Sequence, residues 1–222
     1  MTAGSLIAYS QAVVLYPVNN GFEVTNQVAA NVALRATYVS GTNTVTAPGW
    51  TLYSYSRLQH AWSVLERPSS LAGNANNITN GNSGGTASTY GQALFLDGGD
   101  GKYGANATLR SSYASTEFTL SKGYSNVTVQ FNYRMRAASF ANTIQAYIVS
   151  GSGAVWNMGS KAAATNDFVT FVTPGANAAS LAAGTYKLYL VGAVDNKTYN
   201  ALVDNVQINA EPASNLRLIV IH

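Results

Sequence analysis

No cysteine occurs in this chain. That excludes disulfide staples, thiolate zinc sites, thiol nucleophiles and redox switching. Histidine occurs only as His60 and His222, too few for a His-based metal centre, and His60 stands in Gln59-His60-Ala61-Trp62 without a partner motif. Charge is scarce as well. Asp, Glu, Lys and Arg make up 9% of the residues, against about 25% in an average globular protein. The twelve Lys and Arg form no run, so the net charge of +3 leaves no nucleic-acid footprint. No stretch reaches the ~18 apolar residues of a membrane span. Neither nucleic acid nor membrane is therefore expected as a partner. The opening, MTAGSLIAYSQAVVLYP, has no Lys or Arg ahead of its apolar part and no convincing apolar core, so no secretory leader is expected. Catalytic fingerprints are missing too: there is no G-x-S-x-G, P-loop, H-E-x-x-H or dinucleotide motif. Glycoside hydrolysis needs two carboxylates flanking one bond, and nothing links Glu66 to Glu117. The chain reads as a protein that is not an enzyme.

What is present is uncharged polarity and strand pattern. Asparagine (22) far outnumbers aspartate (5), and with Ser, Thr, Gly and Gln it supplies the surface. Apolar residues are 47% of the 222, enough for a sizeable core without staples. Val127, Val129, Phe131, Tyr133 and Met135 alternate with polar residues at a period of two, which predicts a half-buried strand. Ile144, Ala146 and Ile148 do the same, as do Tyr186, Leu188 and Leu190. Leu202, Asp204, Val206 and Ile208 form another alternating set, opposed by Val203, Asn205 and Gln207. Helical signals are weak, with one short turn expected near Ala178–Ala182. Asp97–Gly104 (DGGDGKYG) reads as a tight turn, and residues 71–90 as a long Asn/Gly/Ser/Thr-rich loop. Roughly ten strands with regular turn signals and no helices predict an all-β sandwich of the jelly-roll type.

The ends differ from the middle. Residues 1–18 read as an arm, 19–210 as the sandwich body, and 211–222 as a last strand or arm beyond Pro212. In Asn215–His222 (NLRLIVIH), Leu216, Leu218 and Val220 fall on one face, and Ile219 and Ile221 on the other. A strand apolar on both faces must be covered. These five residues are the expected assembly contacts, and a homo-oligomer is the expected state.

Three segments together carry a family resemblance: Asn19-Asn20-Gly21-Phe22-Glu23, then Pro48-Gly49-Trp50-Thr51, then Leu202-Val203-Asp204-Asn205-Val206-Gln207-Ile208. Their order resembles the galactose-binding-like jelly rolls, which include many carbohydrate-binding modules. The resemblance spans about residues 19–209 and rests on roughly a dozen positions. It implies that Glu23 and Asp204 help hold a structural Ca2+, a cation that takes oxygen ligands. The alternative is that both cap turns or accept backbone amides. Departures from the pattern are the Gly directly before Phe22 and a closing Asp-Asn in place of Asp-Asp.

Trp50, Tyr53, Tyr55, Trp62 and Trp156 are the candidate sugar-stacking residues, because pyranose rings have apolar faces that pack on aromatic planes. The competing reading places Trp50 and Trp62 partly in the core. Two functions follow as expectations. One is a non-enzymatic virion protein of a tailed bacteriophage, either capsid decoration or tail-associated. It would assemble with other virion proteins through its terminal arms and display a surface for glycans. The other is a secreted, calcium-stabilised carbohydrate-binding module.

Overall fold

The computed structural model describes residues 13–15, 22, 41–42, 48–54, 63–66, 93–96, 99–103, 109–111, 113–135, 142–162, 169–194 and 201–212. In chain order the strands are β1 (Val13–Leu15), β2 (Gly41–Thr42), β3 (Trp50–Ser54), β4 (Ser63–Glu66), β5 (Ala93–Leu96), β6 (Gly99–Tyr103), β7 (Leu109–Ser111), β8 (Tyr113–Leu120), β9 (Tyr124–Met135), β10 (Asn142–Ser150), β11 (Val155–Ala162), β12 (Val169–Val172), β13 (Ala179–Leu181), β14 (Gly184–Val194) and β15 (Ala201–Pro212). They form two antiparallel sheets. The seven-stranded sheet runs β12-β9-β15-β5-β4, with β1 on β15 and β13 on β9. The eight-stranded sheet runs β11-β10-β14-β8-β3-β2, with β6 on β14 and β7 on β6. The architecture is the expected all-β sandwich.

Alternation explains most of the packing. Val127, Val129, Phe131 and Tyr133 are buried on the inner face of β9. From the other sheet, Leu52, Ala114, Leu190 and Ala146 face them as one cross-strand row. A second row is Trp50, Thr116, Leu188 and Ile148. Each fully buried Val, Leu, Ile or Phe is worth about 1.5–3 kcal/mol over exposure, so these two rows are a large share of what holds the sheets together.

The β15 pattern departs from its sequence reading. Val203 is in the core together with Val206, Ile208 and Ala210, so the parity slips by one. The cause is Asn205, at φ 51, where the register against β9 shifts between Asp204 and Gln207. Asparagine tolerates the left-handed region better than most residues, and the extra residue moves the rest of the strand to the opposite phase. Asp204 therefore points away from Val203, paired with Asn132. A matching bulge lies in the neighbouring strand at Asn126, φ 51, whose Nδ2 donates to Glu211 Oε2 at 3.1 Å.

Two smaller expectations are also corrected. The short helical turn is a 3-10 turn at Gly175–Asn177, following Pro174, and Ala179–Leu181 is a strand. Within DGGDGKYG, Gly99–Tyr103 is strand β6, paired with β7, because its backbone finds ladder partners in Ser111 and Leu109. The first described residues, Val13–Leu15, pair with Ala210, Asn209 and Ile208 of β15, so this part of residues 1–18 is built into the sheet.

One margin of the sandwich is closed through a glycine. In β11, Asn157 pairs with Tyr147 and Gly159 with Ala146, with a bulge between them. Gly159 has φ +103, and Gly159 N–H donates to Asn157 Oδ1 at 2.9 Å. A Cβ there would lie 2.8 Å from Pro174 Cδ and 3.3 Å from Phe171 Cζ. The bare backbone lets β11 approach the chain leaving β12. Asn177 Nδ2 donates to Asn157 O across the same margin at 3.0 Å.

Candidate functional site

The inner positions of the eight-stranded sheet fix what its outer face carries, since successive side chains point to opposite faces. With Leu52, Ala114, Leu190 and Ala146 inside, the next positions face outward. One outer row is Tyr53, Tyr113, Val191 and Gln145. The row beside it is Thr51, Ser115, Tyr189, Tyr147 and Asn157. Four tyrosines from four adjacent strands thus share one face.

Their rings form a connected array. Tyr53 and Tyr113 stack at 4.9 Å between centroids with planes 12° apart. That separation matches the ~4.8 Å spacing between strands, so the two rings stand on edge, face to face, rather than lying flat. Tyr189 meets Tyr113 edge-on at 5.3 Å and 63°. The Tyr147 hydroxyl donates to Gln145 Oε1. Burial is graded across the face: Val191, Tyr147 and Ser115 are buried, Tyr53, Tyr113, Tyr189 and Gln145 are half-buried, and Thr51 and Asn157 are exposed. Glu117 and Lys187, directly opposite each other, mark the charged border one row further. Asp100, opposite Ala193, lies one row beyond on the other side. The face therefore combines aromatic carbon with phenol, amide and hydroxyl groups, and among the described residues its two tyrosine rows carry no charge.

Of the residues singled out from sequence, this face holds Tyr53. Trp50 is 3% exposed and packs in the core against Phe22, with centroids 4.5 Å apart. Trp156 lies on the inner face, half-buried at the core rim, edge-on to Tyr186 at 5.9 Å. Tyr55, Trp62 and Glu23 lie outside the described residues, as do Leu216, Leu218, Ile219, Val220 and Ile221. Tyr113, Tyr147, Tyr189 and Gln145 were missed. The signal was available: once Ile144, Ala146, Ile148, Leu188 and Leu190 are assigned inward, Gln145, Tyr147 and Tyr189 must face out.

Asp204 sits elsewhere, beside Asn132 in the seven-stranded sheet. It is 1% exposed, and Oδ1 accepts the Asn205 N–H at 2.8 Å. Next to it, Thr170 Oγ1 donates to Asn132 Oδ1 at 3.0 Å. Among the described residues, no three of His, Cys, Asp or Glu come together.

No family model matches the chain, and no curated protein matches it. Solved structures do resemble it. One is TmCBM61 in complex with β-1,4-galactotriose, at 10% identity and TM-score 0.45, covering 74% of this chain and 90% of that one. Another is the Stig cyclase Fisc from Fischerella sp. TAU, at 15% identity and TM-score 0.47, covering 92% and 100%. A third is the enzymatically active domain of tailspike protein 4 of bacteriophage CBA120, at 9% identity and TM-score 0.38, covering 73% of this chain and 19% of that one. At these scores none of their ligands or reactions passes to this chain, and function is argued from its own residues.

Proposed function

We propose that this sandwich binds glycans on the outer face of its eight-stranded sheet, and that it does so as a non-enzymatic component of a tailed-phage particle. The observation that carries the glycan reading is the tyrosine array itself. Tyr53, Tyr113 and Tyr189 form one contiguous ring cluster with Gln145 and Asn157 in the same rows. A pyranose presents apolar C–H faces and a rim of hydroxyls. Ring carbon takes the first, and amides, phenols and Thr51 take the second. Among the described residues the two tyrosine rows carry no charge, which suits a neutral sugar. The virion reading draws on composition: a low-charge, cysteine-free, Asn-rich β protein with an apolar last segment.

A binding survey over neutral and acidic oligosaccharides, followed by calorimetry, tests the first half. Tyr113→Ala is expected to weaken binding at least tenfold while melting stays cooperative. Binding unchanged in that variant, or no binding to any glycan, overturns the site. Mass spectrometry of purified particles tests the second half, and absence of the chain from them refutes it while leaving the glycan site standing.

The buried Asp204 favours a second reading, a calcium-stabilised carbohydrate-binding module outside a particle. Asp204 is buried with Oδ1 on the Asn205 N–H, and carboxylate oxygens suit a hard cation. Asp204 would hold the ion together with Glu23 and backbone carbonyls. The ion would supply a fixed positive charge between Glu23 and strand β15.

A further inference from the structure

We infer that β12 is the acceptor edge of a strand-exchange contact, in which Asn215–His222 of one copy pairs along Val169–Val172 of another. This goes beyond the glycan reading and does not depend on it.

The argument begins with the edge. β12 is an outermost strand of its sheet among the described residues, as are β4, β1 and β13, each paired on one side only. Its sequence, VTFV, has no charge, and no proline or bulge interrupts it. Val172 is 51% exposed and Val169 38%. Sheet edges are normally blunted by charge, bulges or proline. One edge strand of the other sheet follows that rule: β11 is kinked at Asn157–Gly159 and carries an exposed Lys161.

The β12 edge is also firmly held from behind. Phe171 stacks on Phe131 at 4.7 Å and 23°. Just past the strand, Thr173 Oγ1 accepts the Val129 N–H at 2.8 Å and donates to Val129 O at 3.1 Å. An uncharged strand anchored in this way is a template for a further strand.

The occupant follows from pattern. Val169 and Phe171 face one side of the sheet, Thr170 and Val172 the other. The exposed valines therefore call for apolar neighbours on both sides of an added strand. Residues 215–222, NLRLIVIH, are apolar on both faces. Eight extended residues span ~26 Å, against ~13 Å for four.

Reach selects a second copy. β15 ends at Pro212, opposite Tyr124 of β9, whereas Val172 lies opposite Gln130, six residues along the same strand. That offset is ~20 Å along β9 and three strand spacings, ~14 Å, across. Spanning it uses about seven or eight extended residues. Of residues 213–222, only the last two or three would remain to pair with the edge of their own sheet. A neighbouring copy has no such restriction.

Two full-length variants separate donor from acceptor. Val172→Lys charges the edge and leaves the segment intact. Leu218→Lys with Ile219→Lys charges the segment and leaves the edge intact. Light scattering should show wild type at twice 23.3 kDa or more, and each variant alone at the single-chain mass. The equimolar mixture should return a complex of two chains and no larger, because each pair retains one good edge and one good segment. A free peptide of residues 213–222 should break the wild-type assembly into single chains. Monomeric wild type, a mixture that stays monomeric, or a peptide without effect overturns the inference.

Discussion

Replacing Gly159 by alanine tests how the two sheets are joined at the β11 margin. The backbone there sits at φ +103, a region that costs an L-residue about 1–2 kcal/mol. The added methyl would lie 2.8 Å from Pro174 Cδ, closer than real Cβ atoms come, and 3.3 Å from Phe171 Cζ. Pro174 is a rigid ring and Phe171 is held against Phe131, so neither yields cheaply. Overpacking of this kind adds about 1–3 kcal/mol. Together these give a loss of about 3 kcal/mol, which for a domain of 150–250 residues lowers Tm by roughly 6–12 °C. Differential scanning calorimetry on wild type and Gly159→Ala measures it directly. Gly151 is the control: nothing lies within 4 Å of its Cβ position and its backbone is not left-handed, so Gly151→Ala should melt like wild type. If Gly159→Ala melted within a degree or two of wild type, the claim that bare backbone sets the β11–Pro174 approach would be refuted.

Other outcomes follow from single contacts. Thr173→Val keeps shape but leaves the buried Val129 N–H without its side-chain acceptor, which should cost about 1–3 kcal/mol in urea unfolding; Thr173→Ser should recover most of it. Burial raises the Tyr133 phenol above its ordinary 10.0. The folded state then keeps the proton while the unfolded chain ionises, so stability is intact below pH 10.0 and falls as pH rises beyond it. The unfolding free energy of wild type minus that of Tyr133→Phe should fall with rising pH over that window, and a difference that stays flat would contradict the assignment. If Asp204 helps hold calcium, a chelator should lower the wild-type Tm. At an ion concentration 100-fold above Kd the stabilisation is about 2.7 kcal/mol. Asp204→Asn should abolish the chelator's effect, and equal melting of wild type with and without chelator would remove the ion.

The parts of the fold legible from sequence are those where a strand keeps strict phase. β9 from Val127 to Tyr133 alternates without interruption, and its four inward residues are the four expected. β10 and β14 behave alike. Phase fails where an asparagine takes φ 51. At Asn205 it moves Val203 into the core and turns Asp204 away, and at Asn126 it puts Tyr124 on the same side as Val127. Both bulges share a local form, an Asn inside a strand directly before a Val. Hydrophobic patterning alone does not see it, because a slip of one residue exchanges faces without changing composition. The site was legible to the extent of Tyr53. The sequence reading named three tryptophans beside Tyr53 and Tyr55, and the large apolar area of a tryptophan draws it to the core, as Trp50 shows. The tyrosines opposite named core residues carry both a ring and a hydroxyl, and they are the ones at the outer face.

The shortage of charge has a structural consequence beyond solubility. Twenty-one ionisable Asp, Glu, Lys and Arg residues serve a fold with fifteen strands among the described residues. Two of the edges, one in each sheet, are protected unequally. β11 has a bulge and Lys161, whereas β12 has neither. Asparagine and threonine keep a face wet, but they do not repel an incoming strand, since their groups pair with backbone as readily as with water. A sandwich built this way leaves its edge competent to add a strand unless something occupies it. The same chain supplies, from three residues past its described end, a segment (215–222) whose sequence alternates apolar residues onto both faces of an expected strand. Two features that would each be an aggregation hazard alone are mutually satisfied when one copy's segment meets another's edge. Charging the edge should therefore do more than block assembly. Val172→Lys should leave an uncovered apolar segment on a monomer and raise its tendency to precipitate. The combined edge and segment variant should be both monomeric and soluble. Turbidity on standing distinguishes the two, and equal solubility would show that the segment is covered within its own copy.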